Sequence, residues 1–285
     1  MKTRSPLRYP GGKSRAVSEI ATKYIIPNIP KNNQICSPFF GGGSIEIYLA
    51  KLGHRVYGYD MFLPLVDFWQ VLIKNPNRLA NAVDRKLRVS KTEFASTQES
   101  FRDRYDKFSK IRSAMLFYLL NRTSYSGTTL SGGMAIDHDK KNRWEKINPR
   151  FNKASVKRLR NFSVKNFTVN KLDFRKSILK HKGVLVYADP PYYIGKKKLY
   201  GNLGDMQFKQ KDHEALAKIL KKRTRWILSY NDVPEVRKLY RGFRIKKLSG
   251  WSYGMSNVKS RQKKYSNEIL ILSNDIKIQT QTELF

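Results

Sequence analysis

Two hydrophobic periods run along this chain. Short apolar runs rich in β-branched residues occupy positions 34–36, 55–59, 167–174, 183–188, 226–230 and 267–272, bounded by turn-forming or acidic residues. Runs of this length and composition predict strands. Helix-spaced apolar positions lie between them: Ala16, Val17, Ile20, Ala21, Tyr24 and Ile25, then positions 45–52, 114–120, and Leu216, Ala217, Ile219 and Leu220. Ser14 is placed to cap the first of these helices and Pro27 to end it, while Gly53 follows the second as its terminating glycine. Strand, glycine loop and helix at 34–52 is the opening of a βαβ unit, so the expected class is α/β. From residue 76 to 166 the texture changes to helical patterns carrying 21 Lys/Arg against 8 Asp/Glu.

Charge sharpens this picture. Over 285 residues, 57 Lys+Arg against 22 Asp+Glu leave a net charge of +35. Such a surplus makes the folded chain repel itself and suits a polyanionic partner, with nucleic acid the first candidate. No apolar run approaches a membrane span, so a membrane is not an expected partner. A single cysteine, Cys36, excludes an internal disulfide framework and a cysteine-based zinc site, and four scattered histidines make no metal cluster. The N-terminus carries no hydrophobic segment after its charges, so the expected location is intracellular, in the cytoplasm.

Candidate chemistry gathers at predicted strand ends. Asp189-Pro190-Pro191-Tyr192 follows the most apolar run. Two prolines stiffen this loop and remove two N–H donors. Asp189 and the Pro190 carbonyl can accept from the exocyclic amine of a planar base while Tyr192 stacks on the ring; taken alone, the tetrapeptide fits a proline turn with a capping aspartate equally well. Gly41, Gly42 and Gly43 follow the first strand, and Asp60 ends the second, at a spacing that suits ribose hydroxyls. Neither GxGxxG nor GxxxxGK[ST] occurs, which favours an adenosyl ligand without phosphates. Lys13, beside Pro10-Gly11-Gly12, reads either as an anion ligand or as a solvated lysine at a turn. Asp173 reads either as a rim acid or as a helix cap. The loop containing Arg122, Ser124, Tyr125 and Ser126 can bond phosphates and base edges, or be an ordinary polar loop. Lys196–Lys198 with Tyr200, and residues 237–265 with ten basic residues and no acid, including Lys259 and Arg261, suit a nucleic-acid strand.

Taken together and in order, Tyr9 to Lys13, Pro38 to Ser44, Asp60, Asp173-Phe174, Asp189 to Tyr192, Phe208 with His213, and Ser229 to Asp232 resemble the Dam-type DNA adenine-N6 methyltransferases. The resemblance implies a Rossmann-like, S-adenosylmethionine-dependent methyltransferase sheet of about seven strands with an inserted, mostly helical DNA-recognition domain. The implied division is 1–66 and 161–285 for the catalytic part and 67–160 for the insert. It also implies that Tyr9 and Lys13 hold the methionine part of the cofactor, with Lys13 near its carboxylate. Phe40, Gly41, Gly43 and Ser44 would pass under the cofactor, Asp60 would bind ribose, and Asp173 and Phe174 would meet adenine. Asp189, Pro190 and Tyr192 would act on a flipped adenine, and Arg122, Ser124, Tyr125, Ser126, Lys197, Lys259 and Arg261 would contact double-stranded DNA. A cognate restriction endonuclease is an implied candidate partner. Residues 121–127 depart from the asparagine-glycine-leucine loop of members that read GATC, so no target sequence carries over. The alternatives are an RNA or other amino-group methyltransferase, and a non-catalytic DNA-binding protein on the same scaffold.

Overall fold

The computed structural model describes residues 5–9, 11–139, 144–147, 150–193, 208–248 and 268–279. Its centre is a seven-stranded sheet. The strands are β1 (Gln34–Ser37), β2 (Arg55–Asp60), β5 (Phe167–Lys171), β6 (Leu185–Ala188), β7 (Trp226–Asn231), β8 (Arg244–Lys247) and β9 (Glu268–Leu272), in the spatial order β5-β2-β1-β6-β7-β9-β8. Strands β5, β2, β1, β6 and β7 are parallel, while β9 is antiparallel to both β7 and β8. Strands buried on both faces read as continuous apolar runs, and the parallel β6 and the antiparallel β9 are both buried at every residue.

The chain leaves β1 in one direction to β2 and β5, then returns to the other side of β1 for β6 and β7. That reversal makes β1/β6 a topological switch point, where a crevice opens beyond the strand ends. Asp60 ends β2, Asp189 follows β6 and Asn231 ends β7, all at this rim. Because β9 runs the other way, its first residue, Glu268, also lies there, paired with Asn231.

Helices cover the sheet. α2 (Ser44–Lys51) starts at the glycine loop, with Gly43 in the left-handed region at φ 63°. α3 (Leu63–Lys74) packs on β2 and β5 and also on α6 (Lys110–Thr123), so it crosses position 67 and carries the core of the sheet into the middle of the chain. That middle region holds α4 (Pro76–Asp84), α5 (Lys91–Arg104), α6, α7 (Lys153–Arg160) and a hairpin of β3 (Ile136–Asp139) and β4 (Trp144–Ile147). α8 (Phe174–Lys180), α9 (Gln210–Lys221) and α10 (Pro234–Leu239) follow the later strands. The first helix differs from its expectation. The four-residue α1 (Val17–Ile20) passes into a π-helical turn and a 3-10 turn at Ile26–Asn28, Ala16 rather than Ser14 is its cap, and Pro27 lies inside the last turn. No helix of the described residues is long and apolar enough to cross a membrane.

Candidate active site

The β1–β2 side of the rim is made of backbone. Asp60 accepts from the Gly41 N–H and the Phe62 N–H, both at 3.0 Å, one on each carboxylate oxygen. Trp69 on α3 donates its indole N–H to the Gly41 carbonyl at 3.0 Å. Tyr9 lies on the same loop: a Cβ at Gly41 or Gly42 would come within 2.9 or 2.7 Å of its side chain. Phe40 turns away from the rim. It is buried, stacks on Phe167 at 5.5 Å and meets Trp69 edge-on. Gly43 and Gly58 are open because this ring fills their Cβ positions, at 2.6 and 2.0 Å. Phe40, expected in the loop that passes under the cofactor, props that loop from below. Backbone alternation sends its neighbour Phe39 to the rim instead, stacked on Phe174 at 5.4 Å and edge-on to Phe208 at 5.5 Å.

The β6–β7–β9 side is made of charges. Lys13 is only 5% exposed. Its Nζ donates to both oxygens of Asp189, at 2.8 and 2.7 Å, and to the Gly11 carbonyl at 2.9 Å, and it pairs with Glu268 Oε1 at 2.9 Å. Lys13, expected near a cofactor carboxylate, here grips the rim's own two acids. The ammonium also sits 5.1 Å from the centre of the Tyr192 ring. Desolvation raises the Asp189 carboxyl against the opposing pull of Lys13, and Glu268 is pushed up to about 7 by burial. Asp189 keeps 22% of its side chain exposed, enough to meet a ligand.

Asn231 clamps the loop that follows. Its amide donates to the Tyr193 carbonyl at 2.7 Å and its oxygen accepts from the Tyr193 N–H at 3.1 Å. Below the loop, His213 Nδ1 meets the Tyr230 hydroxyl, and Tyr230 lies 6.1 Å from Tyr192. Burial pulls the His213 imidazole down to about 4, so it stays neutral and structural.

This rim belongs to a chain whose residues 9–252 match the family described as D12 class N6 adenine-specific DNA methyltransferase. The chain belongs to that family. Its activity is therefore S-adenosylmethionine-dependent methylation of adenine N6 in DNA. No curated protein matches the chain significantly.

Other expected contacts of the methyltransferase fall into three groups. Ser44 opens α2 beside Gly12, and Asp173 caps α8 by accepting from the Arg175 N–H at 2.8 Å and from its guanidinium at 2.9 Å. The cap reading of Asp173 is thus the geometry observed. Pro190 is buried and Phe174 lies in the aromatic cluster, with the Arg175 guanidinium over its ring at 4.3 Å. At the end of α6 and the start of the loop after it, Arg122 and Ser124 turn inward. Arg122 is 5% exposed and donates twice to the Arg150 carbonyl, and Ser124 accepts from the Thr129 N–H at 3.1 Å. Both, expected to contact DNA, are here buried and bonded to the backbone of neighbouring segments. Tyr125 remains 58% exposed, and Ser126 is half-buried at φ 54°. Lys197, Lys259 and Arg261, with the basic loops that carry them, lie outside the described residues.

Two rim residues escaped the sequence reading, Glu268 and Phe39, and so did Arg8, whose backbone pairs with the Asn121 side chain. Glu268 carried the faintest signal, an acid starting an otherwise apolar strand.

Proposed function

We propose that this rim methylates adenine at a defined DNA sequence, on a base drawn out of the duplex. The observation that carries the reading is Asp189: a half-sheltered carboxylate at the switch point, held in one orientation by Lys13. Exocyclic N6 is a weak nucleophile because its lone pair is delocalised into the ring. Asp189 and the Pro190 carbonyl accept its two N–H bonds and bias the nitrogen toward tetrahedral geometry. Tyr192 stacks on the base, and Asn231 holds the loop in register. Such a base cannot reach a strand-end crevice from inside a duplex, so it must be extruded.

The residues present fit S-adenosylmethionine. Asp60 has acceptor capacity left beyond its two backbone bonds, the Phe39–Phe174 stack offers an aromatic flank, and Asp189 faces a cationic ligand with a negative charge. Tyr9, the loop at Gly41, Gly43 and Ser44, Asp60 and Phe174 would hold it, and the bound cofactor supplies an electrophilic methyl on sulfonium. Asp189 accepts the N6 proton, which becomes acidic as the nitrogen gains charge.

Double-stranded DNA would be gripped by the basic middle region and loops. On the described face, α5 braces the 128–132 segment through Gln98 and Arg102, and the Arg8 guanidinium, close to Arg122 and Arg150, has a buried nitrogen with no partner among the described residues. Methylation of a defined site would protect it from an endonuclease of the same specificity, the partner this reading admits, and such a role would be carried out on cytoplasmic DNA.

Modified-base sequencing of DNA from cells expressing the chain is the test. N6-methyladenine at one sequence motif is expected, and its loss in Asp189→Ala. Modified cytosine, modified RNA alone, or full activity of Asp189→Ala overturns the reading.

A further inference from the structure

Beneath the rim, three carboxyl groups face one ammonium. Asp189 and Glu268 share Lys13, and Glu46 approaches from α2, buried and holding the Ser37 hydroxyl at 2.7 Å. The titratable and charged groups that face Asp189 and Glu268 among the described residues are Lys13 from the N-terminal loop, Glu46 from α2 and the Tyr187 phenol from β6. The Tyr187 hydroxyl is buried without a partner among those residues. Strand β7 contributes the neutral Ser229 and Asn231. Glu268 is 5% exposed, and the adenine and cofactor contacts proposed above do not use it. An acid buried this deeply is costly to keep unless its charge is used.

We propose that Glu268 is a positioning residue for methyl transfer, acting on Asp189 through the Lys13 ammonium that the two carboxylates share. The inference rests on the reading of Asp189 as the acceptor of the N6 amine. An ammonium paired with one carboxylate draws on its lone pairs and weakens it as an acceptor. Sharing that ammonium with a second anion divides the pull, so Asp189 stays a strong acceptor while the donors of Lys13 still hold its plane. Glu268 does this from the antiparallel strand β9, while Glu46 approaches the same ammonium from α2. Burial raises both acids, and the charge of Asp189 adds to the upward shift of Glu268.

Single-turnover transfer of labelled methyl from S-adenosylmethionine to unmethylated genomic DNA tests this with the full chain, from about pH 5 to about pH 9. Glu268→Gln is expected to slow transfer about tenfold at neutral pH, with cofactor affinity changed by less than about twofold. Its acid limb should move to lower pH, because Asp189 alone with Lys13 ionises more readily. In a Lys13→Gln background the same substitution should cost nothing further, since its route of action is gone. A Glu268→Gln enzyme with wild-type rate and limb, beside an inactive Asp189→Ala, overturns the role of Glu268 and leaves that of Asp189 standing. An active Asp189→Ala overturns the underlying reading instead. Where Glu268→Gln alone does not fold, Lys13→Gln is compared with the double variant; a further loss on adding Glu268→Gln overturns the proposal.

Discussion

The two sides of the rim are built from different materials. On the β1–β2 side, Asp60, Gly41 and Trp69 are joined through backbone groups and lie within 28 residues of one another. On the β6–β7–β9 side, Lys13 meets Asp189 across 176 residues of chain, and Glu268 comes from still further away. The first side works by close approach: glycines leave room for Phe40 below and Tyr9 above. The second works by charge, held at a low exposure where each partner is felt strongly. The first should therefore fail by steric change and the second by charge change.

Gly58→Ala attacks the first side hardest. Its Cβ would stand 2.0 Å from Phe40 Cδ2, inside a core with no room to yield. A loss of about 3 kcal/mol or more is expected, read as a lower unfolding midpoint. Wild-type stability would mean that the loop is not propped from below.

Asp60→Ala separates the two sides in function. It removes the acceptor of two backbone N–H groups and of the proposed ribose contact. Cofactor affinity should fall about 100-fold, with a smaller effect on the transfer rate at saturation. Asp189→Ala should do the reverse. Calorimetry with S-adenosylmethionine beside single-turnover rates tells them apart, and the same profile in both variants would erase the distinction.

Glu46 lies between the sides, and its burial pushes it from 4.5 up to about 7. The unfolded chain ionises this acid first, so the folded state binds more protons between those values. Its contribution to stability is present below about pH 4.5 and is lost as the pH rises through about 7. Glu46→Gln cannot ionise. Its stability should match wild type near pH 4 and exceed it by about 3 kcal/mol near pH 8, by denaturant titration at both. A gap that does not grow with pH would place the Glu46 charge outside the buried cluster.

Asn231→Ala is the mildest probe. It cuts both bonds to Tyr193 and leaves every charge in place. A rate loss of about tenfold with unchanged pH dependence is expected. A shifted pH profile would show that the clamp and the charges act as one unit.

Legibility followed the same division. The strands at 55–60, 167–171, 185–188, 226–231 and 268–272 and the glycine-loop helix could be read because their apolar pattern is continuous and their ends carry turn chemistry. β8, Arg244–Lys247, could not: as a charged edge strand it has no buried face to write a pattern. The β3–β4 hairpin was missed for want of a turn signal, and the π-helical turn at Ala21–Ile25 keeps a helical spacing that hides its extra residue. Phe39 and Phe40 look alike in sequence, and only backbone direction separates rim from core. Arg122 and Ser124 have the residue types of DNA contacts, but packing turned them inward.

Local order along the chain was enough to determine the α/β class, the glycine loop, Asp60 and the position of Asp189, because each depends on neighbours within a few turns of backbone. What surrounds Asp189 was decided only in three dimensions. Strand order and the reversed direction of β9 bring an N-terminal lysine and a C-terminal glutamate to one carboxylate, and no local pattern encodes that meeting, since charge acts through space rather than along the chain.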